Sequence, residues 1–287
     1  MTIALRSTEL SAKLSPMGAE LCSVVCGRTG HEYMWQADPK HWGRHAPILF
    51  PFVGETAGRR VRYDGSEADM QRHGFARTSL FEVETYTDDG CTFVLNENDH
   101  TLAMYPFRFR FEVGYRLEER TMHQIFRVTN NGDSAMGFQV GGHPAFALPL
   151  DQGKHFIAFD QDVLLHRHLL SVDGLYNGLT RQVPITNGRL WIEPGLFDED
   201  AIVLKDTGIE EVTLATTSDP RAIKVRFNGF PMLGIWSVPA TPFVCIEPWF
   251  GCADKVGGTG RLRDKEGLIT IDPKETFEAS FSMEFLG

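Results

Sequence analysis

No apolar run in this 287-residue chain is long enough to cross a bilayer as a helix. The opening Met1-Thr-Ile-Ala-Leu-Arg-Ser-Thr-Glu9 also lacks the basic start and apolar core of an export signal, so a soluble, cytoplasmic protein is expected. Cysteine is sparse and odd in number. Cys22, Cys26, Cys91, Cys245 and Cys252 show no metal-ligand or redox spacing, which points to reduced, mostly packed thiols. Positive charge is in the minority, 28 Lys and Arg against 38 Asp and Glu for a net charge of -10, and no basic face is clustered enough for nucleic acid. A sustained period of 3.6 residues is missing too, and the best helical stretch, around His41-Trp-Gly-Arg-His45, amounts to a turn or two.

The chain is rich instead in alternation. Phe107-Arg-Phe-Arg-Phe-Glu-Val-Gly-Tyr115 and Phe277-Glu-Ala-Ser-Phe-Ser-Met-Glu-Phe285 place apolar side chains at every second position, the period of a half-buried strand. Ile223-Lys-Val-Arg-Phe227 does the same ahead of the turn pair Asn228-Gly229. Further turns are marked by Asp89-Gly90, Asn130-Asn-Gly132, Asp173-Gly174 and Asn187-Gly188. Many short strands joined by tight turns predict an all-β fold, a large antiparallel β-sandwich with minor short helices. No linker tract, charge block or repeat divides residues 1–287, and β domains reach this length undivided, so one domain is expected. The alternative is a boundary at Pro149 to Gly153. Residues from Gln152 to Gly195 look irregular enough to hold long loops.

One carboxylate stands out. In Phe243-Val-Cys-Ile-Glu-Pro-Trp-Phe250, strand alternation puts Phe243, Cys245 and Glu247 on one face, and Pro248 is expected to end the regular pairing and leave Glu247 at a strand mouth. Burial there raises a carboxyl pKa and suits a proton acceptor with a partner close by. Two imidazoles can supply that partner. His143, in Gly141-Gly-His-Pro-Ala-Phe146, is little crowded by neighbouring side chains, whereas His73, between Arg72 and Arg77, reads equally as an exposed loop residue.

Other features are weaker. Asp198-Glu-Asp200 either bounds the strand beginning near Ala201 or accepts hydrogen bonds from sugar hydroxyls. Arg59-Arg-Val-Arg62 reads as a solvated hairpin edge, or as a contact to hydroxyls or a phosphate. Among the aromatic residues near these groups, which include Trp35, Trp42, Phe146, Trp236 and Trp249, most belong to core, and a subset facing a cleft would give a sugar ring an apolar bed. His41 with His45 and His166 with His168 lack a third ligand, so no metal is assigned.

Taken in order, Trp35, Pro47-Ile-Leu-Phe-Pro51 with Gly54, His73-Gly-Phe-Ala-Arg77, Gly142-His-Pro-Ala-Phe146 and Ile246-Glu-Pro-Trp-Phe-Gly251 resemble the aldose 1-epimerase (galactose mutarotase-like) family, nearest its LacX-type branch. The resemblance runs over nearly the whole chain. It implies the galactose mutarotase-like supersandwich with a hexose bound on its open face, and an isomerase that exchanges α and β anomers without a cofactor. Glu247 is then the base, His143 as imidazolium the acid, and His73 a substrate-binding residue. The family's acidic binding residue falls at Asp200 or Asp198, and Arg59, Arg77, Phe146 and Trp249 are further candidates for binding.

The second motif continues as Ala145-Phe-Ala-Leu148 where galactose mutarotases have an aromatic and Asn, and the His-Gly-Phe-Ala-Arg motif is similar to that of hexose-6-phosphate mutarotases. Hexose and hexose 6-phosphate both stay open as small-molecule partners, and the oligomeric state is not readable. Two readings of another class remain. One is a carbohydrate-binding module or sugar sensor without turnover. The other is a glycoside hydrolase pairing Glu247 with Asp198 or Asp200 across about 5–9.5 Å.

Overall fold

The computed structural model describes residues 2–148, 153–159 and 163–287; Pro149 to Gln152 of the alternative domain boundary lie outside these. The fold is all-β. A ten-stranded antiparallel sheet runs in the order Ile185–Thr186, Arg189–Trp191, His155–Ala158, Glu211–Thr216, Ala222–Arg226, Thr276–Leu286, Thr121–Asn130, Phe109–Glu118, Gly90–Asn96 and Glu82–Tyr86. An eight-stranded sheet runs from Tyr176–Gln182 through His166–Leu170, Ile202–Lys205, Met232–Trp236, Phe243–Phe250 and Val140–Gly142 to Ile48–Leu49, with Ala145–Ala147 also pairing with Phe243–Phe250.

The alternating segments form these sheets because one side of each strand is apolar. Along Phe109–Glu118, Phe109, Phe111, Val113, Tyr115 and Leu117 are all buried, and Phe126, Phe281, Met283 and Phe285 meet them in the same core. The strand starts two residues later than its alternation, leaving Phe107 partly buried outside it. Burying one such aromatic contributes about 1.5–3 kcal/mol, which is why one-residue slips of register are resisted. At Asn187-Gly188 both residues have positive φ, 50° and 68°, as a two-residue hairpin turn requires.

Three expectations are corrected. His41 to His45 forms turns and open loop, while the α-helix is Asp99–Met104, capped by Asn98, which accepts the Thr101 N–H at 3.0 Å. Much of the supposedly irregular stretch after Gln152 is strand, including Tyr176–Gln182, whose polar exposed residues hid the pattern of an edge strand. Pro248 does not end the pairing of its strand. It lies opposite Leu233, and the strand continues to Phe250. The Ile246 N–H on the same side donates to Pro144 O, so the N–H that Pro248 lacks faces the break between Val140–Gly142 and Ala145–Ala147, where no ladder bond is lost. All five cysteines are free thiols, four buried and Cys22 half-buried. Among the described residues no helix is long and apolar enough to cross a membrane.

Candidate active site

The eight-stranded sheet turns one face of Phe243–Phe250 to the core and the other to a cleft. Val244 and Ile246 pack in the main core, whereas Cys245, Glu247 and Trp249 point the opposite way. Glu247 sits in mid-strand opposite Gly234, and Trp249 opposite Gly141. A side chain at either glycine would lie 2.5 Å from the Trp249 ring, so both must be glycine for the indole to lie flat along the cleft floor. His143 follows directly on Val140–Gly142, and at the break beside Pro248 its ring turns inward.

Here the two groups meet. His143 Nε2 is 3.1 Å from Glu247 Oε2, and Glu247 is 1% exposed. Burial pushes the Glu247 carboxyl well up, with nearby Asp200 adding to the shift and the Trp249 indole pulling the other way. Burial, opposed in part by a backbone hydrogen bond and reinforced by Arg77 and Arg44, pushes the His143 imidazole down to about 3. Both groups therefore resist charge, and taken together they are favoured with a single proton and no net charge, although the 3.1 Å contact lacks the angles of a hydrogen bond. An imidazolium at His143, the form that the resemblance implies for the acid, is favoured only while Glu247 is a carboxylate.

His73 differs in kind. It has a left-handed backbone, φ 67°, and its N–H donates to Gly54 O at 2.9 Å. Its Nδ1 accepts the Gly54 N–H at 3.1 Å, which places the ring proton on Nε2 and makes the side chain a neutral donor. Burial, then His143 and the three nearby arginines, drives its pKa well below the usual range. The two imidazoles stand edge to face with centroids 5.7 Å apart. Trp42 stacks on His143 at 5.1 Å, and Trp236 meets it edge-on at 5.7 Å.

The cleft above this floor has a volume of about 580 Å3, within the usual range for a small-molecule site of roughly 300–1,000 Å3. Glu247, His143, His73, Asp198, Asp200, Arg77 and Trp249 all line it. Asp198 and Asp200 line it from the turns ahead of Ile202–Lys205, and Arg72 and Arg77 from either side of His73, with Arg44 Nη1 reaching Arg77 O at 3.4 Å. Burial and the like charges of Arg44 and Arg72 lower the Arg77 guanidinium to about 10. Glu55, itself buried, faces Arg72 at 3.5 Å.

Two candidates are placed elsewhere. Phe146 is fully buried in the main core: it lies opposite Val244, whose face is the core side, while its neighbour Ala145 lies opposite Cys245 on the cleft side. Arg59 is not among the lining residues; its side chain is 83% exposed and contacts Glu55 at 3.9 Å. Arg60 and Arg62 pair with Glu67 across the hairpin formed by Arg60–Tyr63 and Ser66–Asp69. Of the aromatic set, Trp42, Trp236 and Trp249 are the members that line the cleft, and Arg72 and Tyr176 line it without having been candidates, Arg72 signalled in sequence only by its place before His73.

Ligand-type atoms of His143, Cys245 and Glu247 lie within 4.8 Å of one another, as do those of Glu20, Cys22 and His45. Burial raises the Cys245 thiol well above its ordinary range, so it presents a neutral S–H rather than a thiolate ligand.

A sequence profile described as aldose 1-epimerase matches residues 1–255. The LacX protein encoded on a plasmid of Lactococcus lactis subsp. lactis is 30% identical over the full length of both chains. Among solved structures, a galactose mutarotase related enzyme from Lactobacillus acidophilus superposes with a TM-score of 0.95 at 36% identity, over 100% of this chain and 98% of that one. A galactose mutarotase-like protein from Lactobacillus casei gives 0.93 at 29% identity, over 99% and 100%.

Proposed function

The chain belongs to the aldose 1-epimerase family, and on that premise we propose that it is a cofactor-independent isomerase that interconverts the α and β anomers of a hexose. The observation that carries this reading is the 3.1 Å contact between His143 and Glu247 on the floor of a cleft walled by hydrogen-bonding side chains.

Anomer exchange needs one proton taken from the anomeric hydroxyl and one given to the ring oxygen. A pair holding a single proton provides both functions. With the sugar in place, Glu247 accepts the proton of the anomeric hydroxyl as the C1–O1 bond becomes a carbonyl. His143, carrying the pair's proton against the Glu247 carboxylate, gives it to the ring oxygen as the C1–O5 bond breaks. The open aldehyde turns about C1–C2, the ring oxygen attacks the other carbonyl face, and both protons return. No charge enters or leaves, which suits a site whose burial penalises charge on either group.

His73, a neutral Nε2–H donor, is suited to hold a sugar oxygen, and Asp198 and Asp200 to accept from hydroxyls. Trp249 and Trp42 offer flat apolar surface to C–H groups of the ring. A second reading, a hexose 6-phosphate as substrate, is favoured by one observation. Arg72 and Arg77 line the cleft with Arg44 in contact with Arg77, and the single Glu55 beside Arg72 does not balance three guanidinium groups.

The test is the return of freshly dissolved α-D-glucose and α-D-galactose to anomeric equilibrium, with the 6-phosphates in parallel, followed by polarimetry or NMR. Acceleration by the wild type and not by Glu247→Gln is expected. Saturable sugar binding without acceleration would make the protein a sugar-binding module instead, and release of aryl aglycones would make it a hydrolase.

A further inference from the structure

The acidic wall of the cleft has no strand to hold it. Asp198 and Asp200 lie in turns and bends between Glu193 and the strand Ile202–Lys205, and Asp200 takes a left-handed backbone, φ 65°. Beneath them lies Arg167, on the strand His166–Leu170 and 5% exposed. Its Nη2 donates to the carbonyl oxygens of Glu199, Asp200 and Ala201 at 2.7, 2.9 and 3.1 Å, and its Nη1 to that of Leu196 at 3.4 Å. Among the described residues no carboxylate lies within ion-pair distance of it; the Glu199 side chain turns away to Arg181 on the neighbouring strand.

A buried guanidinium with no carboxylate in direct contact is costly: burial lowers its pKa, and the more distant charges of Glu199 and Asp200 offset that only in part while Arg181 adds to it. What it obtains here is four carbonyl oxygens of a single loop, all drawn toward one point. Those carbonyls sit on both sides of Asp198 in sequence, so the fork sets the path of the backbone that carries both aspartates. We infer that Arg167 is a positioning residue of the sugar site: it holds the 196–201 segment in the shape that aims Asp198 and Asp200 into the cleft. The inference rests on the proposal that this cleft binds a sugar. Lysine keeps the charge but lacks the planar fork, and cannot reach four acceptors spread along a loop.

The test is a double-mutant cycle of Arg167→Lys and Asp200→Asn, read as KM, kcat and melting temperature on whichever sugar the wild type turns over, or as binding by calorimetry if it only binds. Arg167→Lys should weaken sugar binding about tenfold with kcat changed far less, and should add little once Asp200→Asn is present. An equal loss in the Asp200→Asn background, or lower melting temperature with unchanged KM, would reduce Arg167 to a structural role. If Asp200→Asn leaves binding unchanged, the aspartate's assignment to the sugar fails instead, and the inference with it. Should the lysine variant not fold, amide hydrogen exchange of the wild type decides. Amides of 196–201 protected like the adjoining strand before sugar is added support a preset loop, whereas fast exchange that slows only on sugar binding overturns it.

Discussion

The floor and the rim of the cleft are built by different means. The floor residues His143, Glu247 and Trp249 sit on or directly beside antiparallel strands in fixed register, with Trp249 seated over two glycines. The rim residues Arg72, Asp198 and Asp200 sit on turns and bends and Arg77 on the short 3-10 turn Ala76–Thr78, with left-handed backbone at His73 and Asp200. Strands position a side chain through their neighbours on both sides, which suits two proton-transfer groups that must be held 3.1 Å apart. Loops allow opposite charges to be brought to one cleft, which suits recognition. The division predicts that floor substitutions act on turnover and rim substitutions on binding.

The largest effect tests the floor. Glu247→Gln keeps the shape and removes the proton acceptor, so the anomer-exchange rate should fall by about 10²–10⁴-fold while the sugar dissociation constant, measured by calorimetry, stays close to wild type. Its melting temperature at neutral pH should not fall: a carboxyl whose folded pKa is raised opposes folding once pH exceeds its unfolded value, and glutamine removes that opposition. Unchanged turnover would end the assignment of Glu247 to the chemistry.

On the rim, Arg77→Ala and Arg72→Ala should raise KM for a hexose 6-phosphate by roughly tenfold or more and leave kcat nearly intact. For the neutral hexose the same variants should change KM little. An equal rise for both sugars would show that these arginines hold the cleft together rather than meet a phosphate.

A smaller effect is expected of acid. The pair works with one proton. A second proton, added as pH falls through the lowered His143 value of about 3, removes the acceptor; loss of the last, as pH rises through the raised Glu247 value, removes the donor. The profile of kcat/KM should therefore be flat through the ordinary histidine value of 6.5, and a steep fall as pH rises through that value would place a free imidazolium at the centre of the reaction. The smallest effect belongs to Arg59→Ala, which should leave both kinetic constants unchanged, since that side chain is 83% exposed and outside the cleft lining.

Much of this was legible before the fold. Alternation revealed the strands of Phe109–Glu118 and Thr276–Leu286, and the same rule set Cys245 and Glu247 on one face. Where the reading failed, a partner strand had decided. Phe146 looked like a cleft aromatic beside His143, but its pairing with Val244 turns it to the core. Pro248 looked like a terminator, but its missing N–H faces a break in the neighbouring strand. The helix Asp99–Met104 was too short for any periodicity to register and rests on its Asn98 cap.

By itself, then, the sequence determined the strand class, the burial of Glu247 and the motifs that tie the chain to its family, because these depend on period and local side-chain chemistry. Only the tertiary structure decided that His143 and Glu247, more than 100 residues apart, touch; that Arg72 and Arg77 line the same cleft as Asp198 and Asp200; and that Arg167 lies beneath the acidic loop. These depend on register between strands distant in the chain, and register is set by the packing of both faces at once, which no local segment contains.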